Sequence, residues 1–199
     1  MKAHPDFSRF FRFLSDPALY TPWSGRVLRQ TLPRWLSTPY RITGAGALLK
    51  GARWNVKGLM PAVYGSTDPD TLHEEGVYKA RRFGWTDDDF KPKLTLSMQW
   101  QLQHVLDLTS PEVLDVLGIQ QTDIVGCDWE QEQLNGREAI TQAIGRAAFE
   151  KLAEGLVVPS ARRPGGVNVV YYPAHRREGT IIETLDRETL PQDMHGLDA

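Results

Sequence analysis

The sequence contains a single cysteine, Cys127, among 199 residues. An intramolecular disulfide is excluded, and a zinc site built on thiolates has no support. Charge of one sign is also missing: 23 lysines and arginines stand against 25 acidic residues, for a net charge of -2. The protein therefore has no general attraction to nucleic-acid backbones or anionic lipid, and any anion has to be met by a local group of arginines. Long apolar runs are absent as well. The stretch Met1 to Leu14 is broken by Lys2, His4, Asp6, Arg9 and Arg12, so it lacks the apolar core of a secretory signal. Nothing further along approaches the roughly 20 residues of a membrane-spanning helix. The expectation is a soluble protein, compatible with a reducing cytoplasm. There is no phosphate-binding loop, no Gly-x-Ser-x-Gly elbow and no His-Glu-x-x-His, and the five histidines are scattered. His73, beside Glu74 and Glu75, reads as a solvated residue near a helix start, so no metal site is expected.

What is present suffices for one domain: 41% hydrophobic and 10% aromatic residues can fill a core. Phe7, Phe10, Phe11 and Leu14 recur at helical spacing. Asp16 to Pro39 carries four prolines and reads as an irregular lead-in reaching a first strand near Tyr40. Glycines 44, 46, 51, 58 and 65 punctuate short β-prone pieces, among them Ala62-Val63-Tyr64. Asp68 and Pro69 announce a helix running toward Arg82. Leu94 to Leu96 and Val105 to Leu108 read as strands, and Pro111 to Leu117 as a helix capped by Ser110 and stopped by Gly118. Asn135 with Glu138 resembles a capping box before an apolar helical stripe from Ala139 to Leu152, with Gly155 as its stop. Further strands are expected at Leu156 to Val158 and Val167 to Tyr172. This order, without regular strand–helix alternation, predicts an α+β fold.

Six short pieces follow one another in order: Tyr40-Arg41-Ile42; Gly51-Ala52-Arg53-Trp54-Asn55; Val63-Tyr64-Gly65-Ser66; Asp68 through Glu75; Gly155-Leu156-Val157-Val158-Pro159-Ser160-Ala161-Arg162; and Gly166-Val167-Asn168-Val169-Val170-Tyr171. Together they resemble the RES domain, a family named for an arginine, a glutamate and a serine. The resemblance covers roughly Tyr40 to Tyr172. It divides the chain into an N-terminal arm (1–39), a RES domain (40–185) and a polar tail (186–199). Carried over by position, the family arginine falls on Arg41, the Gly-x-Arg-Trp-Asn arginine on Arg53, the tyrosine on Tyr64, the glutamate on Glu75, the serine on Ser160 and the asparagine on Asn168. Ser66 joins them as a polar neighbour. Two departures stand out: Ala52 replaces a glycine, and His73 and Glu74 replace apolar residues, which leaves Glu74 as an alternative register for the glutamate.

The resemblance implies an ADP-ribosyltransferase-like split β-sheet core with flanking helices. It also implies a toxin that cleaves the nicotinamide–ribose bond of NAD as a substrate, with no further cofactor, and that is neutralised by a helix-turn-helix, Xre-like antitoxin protein. A homodimer within such a complex is a further expectation, and direct binding to nucleic acid or membrane is not expected. The residue types suit the chemistry. Guanidinium forks match phosphate oxygens, so Arg41 and Arg53 are candidate clamps. Cleavage builds positive charge on the ribose, which a carboxylate such as Glu75 stabilises. Tyr64 offers a ring to stack on nicotinamide and a hydroxyl to present, and Ser160, Asn168 and Ser66 offer neutral hydrogen-bonding groups. Taken singly, each residue is better explained as a salt-bridge partner, a helix-dipole charge, a half-buried strand aromatic or a turn residue; the ordered set reverses that preference. Trp54 is read as core, since a strand would turn it away from Arg53. Two other functions stay open: an ADP-ribosyltransferase acting on a protein, and a non-enzymatic binding module. The acceptor of the ADP-ribosyl group, whether water, phosphate or protein, is likewise open.

Overall fold

The computed structural model describes residues 1–31, 42–82 and 94–185. Arg41, the strand expected near Tyr40 and the tail 186–199 lie outside the described residues. The chain begins with α1 (Phe7–Phe13), which buries Phe10 and the following Leu14 as its spacing requires.

Next comes the main departure from the sequence reading. Tyr20–Thr31, expected to be irregular, is the strand β1. It runs antiparallel to β3 (Leu94–Asp107), from Tyr20 opposite Leu106 to Thr31 opposite Leu94. The register shifts between Thr21 and Trp23, where Pro22 has no N–H to give to the ladder. A proline that suggested a loop marks a bulge instead, and these residues are built into the sheet. The two short strands expected around residues 94 and 108 are the ends of the single strand β3.

Between residues 42 and 66 the expected series of strands reduces to a helix, α2 (Ala45–Lys50), and one strand, β2 (Val63–Ser66). The helix α3 (Pro69–Arg82) starts as expected, with the Asp68 carboxylate accepting from the Thr71 amide (2.9 Å) and hydroxyl (2.6 Å). The helix α4 (Pro111–Leu117) also forms as expected, with Ser110 as its cap and Gly118 in the left-handed region at φ 63°. Two short helices, α5 (Gln121–Val125) and α6 (Trp129–Leu134), were not foreseen.

The helix α7 (Ile140–Glu150) starts later than Asn135, because Glu138 is taken elsewhere. Glu138 accepts from the His4 amide (2.9 Å) and from Nε and Nη2 of Arg146 (2.7 and 2.9 Å). Gln142 caps the helix by accepting from the Ala139 amide (3.3 Å). The helix stops before Gly155, with Leu152 at φ 61° making the turn. Gly155 instead opens β4 (Gly155–Pro159), which is followed by β5 (Val167–Tyr171) and β6 (Ile181–Thr184).

The six strands are ordered β1-β2-β5-β4-β3-β6, and β1 also pairs with β3, so the sheet curls back on itself. It falls into two antiparallel halves, β1-β3-β6 and β2-β5-β4. Parallel pairing of β3 with β4 and a single pair, Leu28 opposite Ser66, join the halves. The result is an α+β domain with a split sheet. Alternation along the strands separates two cores. Val27, Val63, Met98, Trp100, Val169 and Tyr171 fill the inside of the curl. Phe10, Trp54, Leu106, Ile144, Leu156 and Tyr172 pack the outer face against the helices. Among the described residues no helix is long and apolar enough to cross a membrane.

Candidate active site

The site grows from the outer face of β2-β5-β4. Ser66 at the end of β2, Asn168 on β5 and Ser160 just past β4 lie on the same side of the sheet, and α3 lays Glu75 over them. Ser160 Oγ donates to Glu75 Oε1 at 2.8 Å, and Asn168 Nδ2 donates to the same oxygen at 3.0 Å. Ser66 Oγ donates to Asn168 Oδ1 at 2.7 Å, which fixes the amide with its nitrogen toward the carboxylate. The backbone amides of Arg162 and Arg163 donate to Ser160 Oγ at 3.1 and 3.2 Å. Four residues predicted as site members thus form one hydrogen-bonded chain. Among the described residues Glu75 Oε2 has no protein donor and remains available. Glu74, the alternative register, is exposed and takes no part.

Arg53 arrives from the loop after α2. Its position follows from Trp54, which is 2% exposed and core as expected, and from Tyr172, whose hydroxyl donates to the Trp54 carbonyl at 2.9 Å. Gly145 of α7 lies against the Trp54 backbone, where a Cβ would collide. Arg53 Nη1 donates to the carbonyls of Ile124 (2.8 Å) and Cys127 (3.0 Å), so the α5–α6 segment anchors one arm of the guanidinium. Nε and Nη2 have no protein acceptor among the described residues, which leaves a two-donor edge for an anion. Burial depresses the Arg53 pKa, and the group feels the charges of Cys127, Arg162, Glu75 and Tyr78, so these side chains share one neighbourhood.

Tyr64 departs from expectation. Its hydroxyl donates inward to Asn55 Oδ1 (2.8 Å) and accepts from the Trp54 amide (3.1 Å). It is not presented to a ligand, and burial raises its pKa far above the usual phenol value, so it stays protonated. Asn55, whose role the motif did not disclose, is fully buried and also donates to the carbonyls of Ala47 (2.9 Å) and Met60 (3.3 Å). The motif asparagine and tyrosine therefore shape the loop that carries Arg53.

Two arginines escaped the sequence reading. Arg29 on β1 donates from Nη1 to the Tyr64 carbonyl at 2.6 Å, while its Nε has no hydrogen-bond partner among the described residues. Burial lowers its pKa. Its stretch of sequence, with prolines at 17, 22, 33 and 39, reads as irregular, so no signal marks it. Arg162 lies on Tyr78 with its guanidinium carbon 3.2 Å from the ring centre. Its place two residues after Ser160 was the available clue. A separate cleft of about 500 Å³, lined by Asp123, Asp128, Glu132 and Glu138 among others, contains none of the polar chain.

A carboxylate with one free oxygen, neutral donors locking the other, and guanidinium groups nearby is a site for an anionic sugar derivative. The protein belongs to the RES-domain family, whose model matches residues 26–193. Similar proteins include the NAD(+) phosphorylases MbcT of Mycobacterium bovis and Mycobacterium tuberculosis, each 30% identical over 164 residues, covering 74% of this chain and 79% of the relative. A crystal structure of the M. tuberculosis MbcT–MbcA toxin–antitoxin complex matches with a TM-score of 0.66 at 26% identity, covering 88% of each chain. The family match begins inside β1, ahead of the motifs that start at Tyr40.

Proposed function

We propose that this protein is a toxin that cleaves the nicotinamide–ribose bond of NAD and transfers the ADP-ribosyl group to inorganic phosphate. The observation that carries the reading is Glu75, held on Oε1 by Ser160 and Asn168 with Oε2 left open, in a chain similar to named NAD(+) phosphorylases. Nicotinamide leaves as a neutral molecule from a cationic ring, so no acid is needed to expel it. Positive charge gathers on the ribose, and the open oxygen of Glu75 stabilises it or holds the ribose hydroxyls. Arg53, with Arg41 from outside the described residues, meets the diphosphate. NAD is the substrate, and the reaction calls on no other cofactor.

Loss of NAD arrests growth in the cytoplasm where the toxin acts, and an antitoxin protein neutralises it. The sequence resemblance supports an antitoxin of the helix-turn-helix kind and association of toxin copies within the complex. Similarity to the MbcT–MbcA complex supports a protein partner. Incubation with NAD, with and without phosphate, followed by chromatography of nicotinamide, ADP-ribose and ADP-ribose 1″-phosphate tests the reading, with Glu75→Gln as control. Nicotinamide release that disappears in the variant is expected. Intact NAD together with labelled protein from labelled NAD would replace the reading with protein ADP-ribosylation.

A further inference from the structure

We propose that Arg162 is the seat of the acceptor: its guanidinium, lying on Tyr78, grips inorganic phosphate beside the sugar and makes the reaction phosphorolysis instead of hydrolysis. This rests on the cleavage reading above and adds to it a residue and a ligand subsite. Tyr78 lies three residues after Glu75 on α3, so both side chains emerge on one helix face. The guanidinium carbon of Arg162 sits 3.2 Å from the Tyr78 ring centre, a contact that holds the planar fork in a defined orientation. Its neighbour Arg163 is engaged by Asp68 (3.0 Å) and Asp70 (3.1 Å). Among the described residues no carboxylate lies within ion-pair distance of Arg162, so two adjacent arginines divide into one tied to the fold and one with its charge uncommitted.

Position selects phosphate over the diphosphate of NAD. The Arg162 backbone amide donates to Ser160 Oγ, which donates to Glu75 Oε1, so the Arg162 backbone stands two hydrogen bonds from the carboxylate, and Tyr78, three residues on from Glu75, holds the guanidinium on the same face of α3. An anion held by that fork is thereby brought to the face of α3 that carries Glu75, which meets the sugar in the cleavage reading. A phosphate dianion placed beside Glu75 is repelled by it, and an uncommitted guanidinium offsets that repulsion, with Arg53 in electrostatic reach of both. In the step, a phosphate oxygen forms the bond to the anomeric carbon. The carbon–nitrogen bond breaks, and its electron pair neutralises the pyridinium ring. With hydrogen phosphate as nucleophile no proton has to be removed, whereas water would have to lose one.

The test titrates inorganic phosphate calorimetrically into the full-length protein, its Arg162→Ala form and its Arg162→Lys form without NAD, and then measures kinetics and products for the same proteins. Thermal melting confirms that each variant is folded. Arg162→Ala is expected to weaken phosphate binding about tenfold or more, the loss of a charge-assisted pair of hydrogen bonds. It raises KM for phosphate in parallel, leaves KM for NAD within about twofold, and shifts product from ADP-ribose 1″-phosphate toward ADP-ribose. The lysine form, with charge but no planar fork, recovers part of the binding. Equal phosphate affinity in the wild type and Arg162→Ala overturns the proposal. A raised KM for NAD with unchanged KM for phosphate also overturns it, by assigning Arg162 to the dinucleotide. If the wild type leaves NAD intact, the cleavage reading fails while the calorimetric arm still decides whether Arg162 holds phosphate.

Discussion

At the start of β4, Glu154 is fully buried and both of its oxygens are occupied, Oε2 by the Gln103 amide (2.5 Å), Oε1 by the Arg177 amide (3.2 Å) and the Thr180 hydroxyl. At the far end of the same strand, Ser160 reaches Glu75, where two donors share one oxygen and the second oxygen is left over. Both carboxylates are held by neutral hydrogen-bond donors. The difference lies in what remains: Glu154 is a fastener joining β3, β4 and the segment before β6, while Glu75 is oriented through one oxygen and keeps the other open, as the proposed role requires.

Substitutions should separate the two ends. Glu154→Ala strands three donors, the buried Thr180 hydroxyl among them, and is expected to lower unfolding free energy by about 2–3 kcal/mol, read by denaturant titration, while the molecules still folded keep their activity. Glu75→Gln should reduce nicotinamide release on the order of a hundredfold with little change in melting temperature. A large loss of stability in that variant would erase the contrast. Asn168→Ala, which removes one of the two donors orienting Glu75, should lower kcat about tenfold, measured by the same release assay. Tyr64→Phe leaves the Trp54 amide and Asn55 Oδ1 without a partner and should cost about 1–2 kcal/mol of stability, with a smaller effect on rate. A hundredfold rate loss at full stability would instead place its hydroxyl on the ligand.

The smallest effect concerns pH. His104, whose ring stacks on Tyr20 at 4.2 Å, has its pKa lowered from 6.5 by burial and by Arg177, with Glu154 acting in opposition. The unfolded chain therefore takes the proton more readily than the folded one. The stability due to the neutral ring is complete above pH 6.5 and declines as pH falls below it, levelling once the folded form also protonates. Denaturation midpoints between pH 5 and 8 should show this slope, and His104→Gln should flatten it.

The legible parts of the fold were those written in local chemistry. Asp68-Pro69 and Ser110-Pro111 start helices because the cap and its target lie within one turn. β1 was hidden because its partner in the sheet is β3, dozens of residues away, while its prolines spoke locally for a loop. The Asn135–Glu138 pair misled because Arg146 and the His4 amide compete for the same carboxylate. At the site, the ordered motifs anticipated that Glu75, Ser160, Asn168 and Ser66 meet. They could not show that Tyr64 turns its hydroxyl inward, which depends on the burial of Asn55, nor that Arg162 lies on Tyr78, which depends on where α3 ends up.

The polar chain around Glu75 is assembled from residues spread along the protein, with Ser160 and Asn168 among the last contributed. The hydrogen-bonded chain around Glu75 is therefore complete only after Asn168 has left the ribosomal exit tunnel and β5 has paired with β2. Every shorter nascent chain, and every product of a frameshift or premature stop before that point, lacks the donor that Asn168 gives to Glu75. For a protein whose reading is that of a poison, the order of synthesis is itself a safeguard.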